Sequence, residues 1–259
     1  MTTTDSASGR PASQLRRADG PPIAYHKTTG RSPMVVFLTG LRSDMGGGKA
    51  LALEAFCRAR GQGFLRFDYR GHGQSGGRFE EGTVGLWLED AKAAIGALTE
   101  GPLVLVGSSL GGWIMLLLAR ARAERIRGLV GIAPAPDFTE DLMWAKFSPT
   151  VQERLTRDGV IYVPSLYSAE LTPVTLALIE DGRRHLLLRG PIAFEGPVQL
   201  IHGMEDPDVP WQTSLRIAER LSSGSVDVTL VKGGGHRLSE PRDLERMCAA
   251  VAAICDRAL

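Results

Sequence analysis

Residues 103–113 read LVLVGSSLGGW, an apolar run followed by two adjacent serines and a pair of glycines. Leu103 to Val106 has the composition of a buried strand, and LGGWIMLLLARA, from Leu110 on, that of an apolar helix. A serine hydroxyl is a weak nucleophile until a base accepts its proton and the backbone presents it to substrate. The G-x-S-x-G turn gives that presentation. A strand bends sharply into a helix with the serine at the apex, and the residues two before and two after must be small. Centred on Ser109 those positions are Gly107 and Gly111; centred on Ser108 they would be Val106 and Leu110, which would collide. Ser109 is therefore the candidate nucleophile, and Ser108 fills the variable position. Acyl transfer also needs two N–H groups facing the developing oxyanion. Leu110 supplies one. The loop TGLRSD (39–44) supplies the other, Gly40 permitting a tight bend and the Leu41 amide facing the site. The nearby MGGGKA is no phosphate loop, because Ala50 follows Lys49 and position 43 is not Gly.

Outward from this stretch, strand-like and helix-like segments alternate. MVVFLTG (34–40), GFLRFDYRG, LVLVGSS, IRGLVGIAPA, PVQLIHG (197–203) and VDVTLV (226–231) read as strands. KALALEAFCRARG (49–61), TVGLWLEDAKAAIGAL, LGGWIMLLLARA, WQTSLRIAERL and a closing stretch from about Glu240 read as helices. Apolar strands alternating with helices predict an α/β fold with a mostly parallel central sheet covered on both faces. LRRADGPPIAYHKTTG predicts two short strands around Asp19-Gly20-Pro21 in front of it. The rhythm stops between Pro136 and Gly196, too long a gap for a strand-to-helix loop. Residues 137–195 are therefore expected to form an inserted, mainly helical cap. The core is expected over 13–136 and 196–259, and a disordered tail over 1–12.

In this architecture the order Ser, Asp or Glu, His is expected. His236, in KGGGHRL after the last strand, is the candidate base. His202, at a strand end beside Gly203, is expected to hydrogen-bond the backbone. His72 and His185 precede the required order, and His26 lies in the opening hairpin. HGMEDPDVP offers Glu205, Asp206 and Asp208; Asp206 stands at the fifth position of H-G-x-x-D-x-x-V-P, a frame that recurs in such enzymes. Asp208 and Asp137 are reserves. The glycines of DYRGHGQSGG (68–77) read as turn chemistry beside the site.

Composition narrows the partners. With 30 Lys+Arg against 29 Asp+Glu the formal net charge is +1, which gives no long-range attraction for nucleic acid. No segment approaches the ~18 apolar residues of a membrane span, and the N-terminal residues lack the apolar stretch of a secretory signal. Three cysteines without C-x-x-C spacing fit free thiols in a reducing compartment, and a cytoplasmic location is expected. No metal or cofactor is expected. The segment 137–195 carries Met143, Trp144, Phe147, Val163, Leu166, Tyr167, Leu171, Val174, Leu176 and Leu178. Gly40, Trp144, Phe147 and Tyr167 are the expected substrate contacts, for a small molecule or acylated protein with an apolar acyl group. Arg183, Arg184 and His185 would suit an anionic leaving group, or form a solvated basic face.

Taken together, these motifs resemble the α/β-hydrolase superfamily. More narrowly, FLTG, KALALEAFCRARG, RFDYRGHGQSGG, VGSSLGGWIML, VPSLYS, LIHGMEDPDVPW and GGGHR are similar to a branch of thioesterases and acyl-glucuronide esterases within it. The resemblance covers nearly everything from Leu15 onward. It implies a serine hydrolase of long-chain thioesters or acyl esters, with Ser109, Asp206 and His236 as its triad. Animal members of that branch carry a mitochondrial presequence that this short tail does not match, so a bacterial relative is expected. On the same fold the alternatives are a C–C bond hydrolase, a perhydrolase, a small peptidase or a non-catalytic binding protein. Dehalogenases and epoxide hydrolases look for Asp where Ser109 stands.

Overall fold

The computed structural model describes residues 11–121, 124–165 and 170–257. Leu166, Tyr167 and most of the expected tail lie outside the described residues. An eight-stranded sheet organises the chain: β1 (Ser13–Leu15), β2 (Ile23–Thr28), β3 (Arg31–Leu38), β4 (Gln62–Phe67), β5 (Leu103–Ser108), β6 (Ile126–Ile132), β9 (Val198–Gly203) and β10 (Val226–Val231). Its spatial order is β1-β2-β4-β3-β5-β6-β9-β10. The pairs β1/β2 and β2/β4 are antiparallel, and every other pair is parallel.

Strand residues alternate between two apolar layers, as the pleat requires. Val35, Phe37, Val104, Val106, Val130 and Ile132 face Leu53 and Cys57 of α1 (Gly48–Ala59) and Val251 and Ile254 of α7 (Pro241–Arg257). Val36, Leu38, Leu105 and Leu129 face the other side. There α2 (Val84–Leu98) and α3 (Leu110–Ala121) pack, with α6 (Gln212–Arg220) contributing Ile217. Both serine-flanking strands are thus buried on two faces, each fully buried side chain adding roughly 1.5–3 kcal/mol, and the loops at their ends inherit that rigidity. Register then sets where those loops meet. Leu38 pairs with Gly107, which brings residues 39–41 level with the β5–α3 turn. Val231 pairs with Gly203, which brings the loops after β9 and β10 to one edge.

Between β6 and β9 the chain makes a π-helical turn (Thr139–Met143), a 3-10 turn (Trp144–Lys146), α4 (Pro149–Asp158), an antiparallel hairpin of β7 (Val160–Val163) and β8 (Thr172–Thr175), and α5 (Leu176–Arg183). The hairpin is absent from the sequence expectation. Its strands, VIYV and TPVT, are too short to show a period, and their β-branched residues make them strands. Leu155, Ile161, Val174 and Ile179 form a small apolar cluster of this segment's own. Among the described residues no helix is long and apolar enough to cross a membrane.

Candidate active site

The β5–α3 turn is built as the glycine spacing demands. Ser109 has φ +53, a left-handed conformation costing a non-glycine residue about 1–2 kcal/mol. A Cβ on Gly107 would lie 2.4 Å from the Gly111 carbonyl oxygen, and one on Gly111 would lie 2.0 Å from that of Leu38. Neither can be anything larger. The Ser109 N–H donates to the Ile132 carbonyl at 3.0 Å, and its own carbonyl accepts from Gly112 and Ala135 at 2.9 and 3.1 Å, so the turn is tied on three sides. Ser108 is buried, while Ser109 is partly open to solvent.

The Ser109 hydroxyl lies 3.0 Å from His236 Nε2, and His236 Nδ1 lies 2.7 Å from Asp206 Oδ2. A carboxylate can only accept, so Nδ1 carries the proton and Nε2 offers its lone pair to the serine. The Asp206 side chain is fully buried. Its Oδ1 accepts the N–H groups of Asp208 and Val209, each at 2.9 Å, which leaves Oδ2 for the imidazole. Burial acts to raise the Asp206 pKa, but the hydrogen bonds from His202 and His236 outweigh it and hold the carboxyl well below its usual range. The loop carrying His236 is gathered in closely. A Cβ on Gly203 would meet the Gly234 carbonyl oxygen at 2.1 Å, the Glu205 N–H donates to that same carbonyl at 2.9 Å, and Lys49 Nζ donates to the Arg237 carbonyl. Burial, then Arg237, pushes the Lys49 ammonium down to about 8.

The start of α3 and the 40–43 turn border the serine. Leu110 opens α3, and its amide is one of the N-terminal donors that have no acceptor within a helix. Residues 40–43 form a turn closed by the Ser43 N–H to the Gly40 carbonyl at 3.1 Å. In a trans peptide, C=O and N–H point opposite ways, so the Leu41 N–H points out of that turn. Gly40 packs on the serine turn, where an added Cβ would lie 3.4 Å from Ser109 Cβ.

Other expected residues fall elsewhere. Trp144 and Phe147, expected at the substrate, pack against the apolar cluster around Leu155, and the Arg183 guanidinium covers the Trp144 ring at 4.7 Å. Both remain partly exposed. Tyr167 lies outside the described residues. Arg183 pairs with Glu140 at 2.7 Å and Arg184 with Asp181 at 2.6 Å. The Asp137 carboxylate is taken up by the Leu187 and Leu188 N–H groups and Arg189, not by an imidazole. His202 does hydrogen-bond the backbone, at the Val209 carbonyl, and its Nε2 also lies 3.2 Å from Asp206 Oδ2, a contact its sequence position does not signal. Nor does anything in MGGGKA signal the tie from Lys49 to the histidine loop. Asp206, Asp208 and His236 bring potential ligand atoms within 4.8 Å of one another, and Asp206 and His236 are hydrogen-bonded to each other. A cavity of about 330 Å³ lies beside the 40–43 turn, lined among others by Arg42, His72, Phe79, Tyr162 and Leu171.

The chain is similar to known proteins of one family. The profile of the alpha/beta hydrolase family matches residues 35–254. Palmitoyl-protein thioesterase ABHD10, mitochondrial, of Homo sapiens is 41% identical over 244 residues, covering 94% of this chain and 79% of that protein. The structure of alpha/beta hydrolase domain-containing protein 10 from mouse superposes with a TM-score of 0.89 at 39% identity, covering 96% of this chain and 99% of that one. A putative hydrolase from Agrobacterium vitis S4 superposes with a TM-score of 0.90 at 40% identity, covering 95% and 100%.

Proposed function

The chain belongs to the alpha/beta hydrolase family, and on that premise we propose that it is a serine hydrolase of carboxylic esters or thioesters, acting through an acyl-Ser109 intermediate. The observation that carries the reading is the continuous hydrogen-bonded line from Ser109 Oγ through His236 to Asp206. In the first half-reaction Ser109 Oγ attacks the acyl carbon as His236 Nε2 takes its proton. Asp206 stabilises the imidazolium and keeps its ring oriented. The tetrahedral oxyanion receives the Leu41 and Leu110 N–H groups, the α3 N-terminus adding its partial positive charge. Collapse expels the alcohol or thiol, which takes the proton back from His236. Water then attacks the acyl-serine, with His236 as base, and releases the carboxylic acid. No step calls for a metal or a cofactor.

The name of the 41% identical relatives, palmitoyl-protein thioesterase, supports an apolar acyl chain on a protein or small-molecule thiol as the substrate class. Each buried CH₂ of such a chain would add about 0.8 kcal/mol to binding. As to location, Cys57, Cys248 and Cys255 are free thiols, which suits a reducing interior. The cytoplasm offers that, although the relatives are named mitochondrial.

A fluorophosphonate probe should label Ser109 and no other residue, and Ser109→Ala should remove both labelling and turnover. A panel of p-nitrophenyl esters and acyl thioesters of increasing chain length should show kcat/KM rising with length. Background rates across the whole panel, with no labelling of folded protein, would sink the reading.

A further inference from the structure

His72, the histidine of DYRGHGQSGG, is buried at 4% exposure and far from the Ser109–His236–Asp206 line in sequence. Its two ring nitrogens have partners whose roles are not negotiable. Nδ1 lies 3.1 Å from the Arg70 carbonyl, which can only accept, and Nε2 lies 3.1 Å from the Arg42 backbone nitrogen, which can only donate. The imidazole is therefore neutral, with its proton on Nδ1 and its lone pair aimed at Arg42. The rings of Tyr69, Phe79 and Trp87 stand edge-on around it, with centroids 5.9, 5.2 and 5.4 Å away. They fix the plane of the ring and so the direction of the Nε2 lone pair. Burial pushes the pKa of His72 down, in the direction that keeps it neutral.

What His72 holds is the third residue of the 40–43 turn. Arg42 has φ +55, the left-handed conformation that a type II turn requires at this position and that usually selects Gly or Asn. The alternative type I turn would rotate the Leu41–Arg42 peptide by about 180°. That rotation would withdraw the Arg42 N–H from His72 and present the Leu41 carbonyl to it instead. A neutral Nε2 accepts the first arrangement and repels the second. The Arg42 side chain reinforces the choice by bonding the Leu171 carbonyl at 2.9 Å and Thr172 Oγ1 at 3.2 Å. The flanking peptide, Gly40–Leu41, bears the N–H assigned to the oxyanion.

We propose that His72 is a positioning residue for the oxyanion turn: its Nε2 anchors the Arg42 N–H, and so holds in place the turn whose Leu41 N–H is assigned to the acyl oxygen of the substrate. This rests on the serine-hydrolase reading above. It makes the RGHG motif part of the catalytic frame through hydrogen bonding rather than through its glycines alone.

The test compares two amides of different reach in the full-length protein. In His72→Gln the side-chain oxygen can occupy the place of Nε2; in His72→Asn the amide can occupy only that of Nδ1. Both are polar, and each keeps one of the two original hydrogen bonds. With kcat normalised to folded, titratable sites, His72→Asn should lose about 10- to 100-fold in kcat with KM for a p-nitrophenyl ester little changed, and its fluorophosphonate labelling rate should fall in parallel. His72→Gln should recover most of both. If Asn is as fast as Gln, or if the loss appears in KM or in the folded fraction alone, the proposal is overturned. The unaltered protein provides the separate control: if it neither labels nor turns over, the serine-hydrolase reading has failed instead.

Discussion

Two buried aspartates stand just beyond neighbouring strands, Asp137 after β6 and Asp206 after β9, and each accepts two backbone N–H groups. The resemblance ends at how the oxygens are shared out. Asp137 spends one oxygen on the Leu187 N–H at 2.7 Å and the other on the Leu188 N–H at 2.9 Å, and adds Arg189. It is a staple across the inserted segment. Asp206 satisfies both local N–H groups with Oδ1 alone, which leaves Oδ2 facing His236 and His202. One uncommitted oxygen separates a structural carboxylate from one able to orient a base. Their acidities diverge accordingly. Burial drives the Asp137 pKa up, against its hydrogen bonds and Arg189, whereas in Asp206 burial loses to the hydrogen bonds from His202 and His236.

The largest effect should come from exchanging each for its amide. Asp206→Asn should lower kcat by about 10⁴-fold on any ester substrate, because the amide can favour the wrong imidazole tautomer. Asp137→Asn should leave kcat close to that of the parent. Its cost, about 1–3 kcal/mol, should fall on stability, since the new NH₂ faces an N–H, and thermal melting should report it. If the two phenotypes were reversed, Asp137 rather than Asp206 would be the acid of the line.

That pair also marks how far the sequence could be read. The parallel core was legible because strands buried on both faces give unbroken apolar runs, as in LVLV and MVVFL, and because Gly107 and Gly111 allow only one serine at the turn. His236 and Asp206, which the structure brings into a hydrogen-bonded line with Ser109, were legible as candidates because chain order left few others. The β7–β8 hairpin was not, being two four-residue strands without a period. The packing of Trp144 and Phe147 on the cluster around Leu155 was not legible, because large apolar side chains read alike whether they meet a ligand or each other. The partners of the His72 ring and the contact of His202 with Asp206 were opaque for a different reason. Each depends on which ring nitrogen faces which folded neighbour, and no residue spacing encodes that.

The opposite pKa directions give a second, smaller test. For Asp206, lowered in the folded state, the stabilisation is complete above the unfolded value of about 4 and is lost as the pH falls through its folded value. For Asp137, raised in the folded state, the contribution is complete below about pH 4 and is lost as the pH rises through its folded value. The stability deficit of Asp206→Asn should therefore shrink on acidification, and that of Asp137→Asn should grow. Urea unfolding of parent and variants at a series of pH values around 4 measures both. Deficits that moved together would mean that the two carboxylates are not in contrasting environments.

The smallest effect concerns the inserted segment itself. Arg183, Arg184 and His185 could have served an anionic leaving group. In the structure Arg183 is paired with Glu140 and lies over Trp144, Arg184 is paired with Asp181, and the His185 carbonyl accepts the Trp113 indole N–H at 3.1 Å. A partly exposed ion pair and a cation–π contact together contribute about 1 kcal/mol or less. Arg183→Gln should accordingly lower stability by no more than that. The ratio of kcat/KM on an acyl glucuronide to that on a neutral ester of the same acyl chain should not change. A selective loss on the glucuronide, of fivefold or more by the size of a charge-assisted contact, would bring the basic trio into the site. Chemistry would then no longer be confined to the strand ends, because a residue of the inserted segment would be choosing the leaving group.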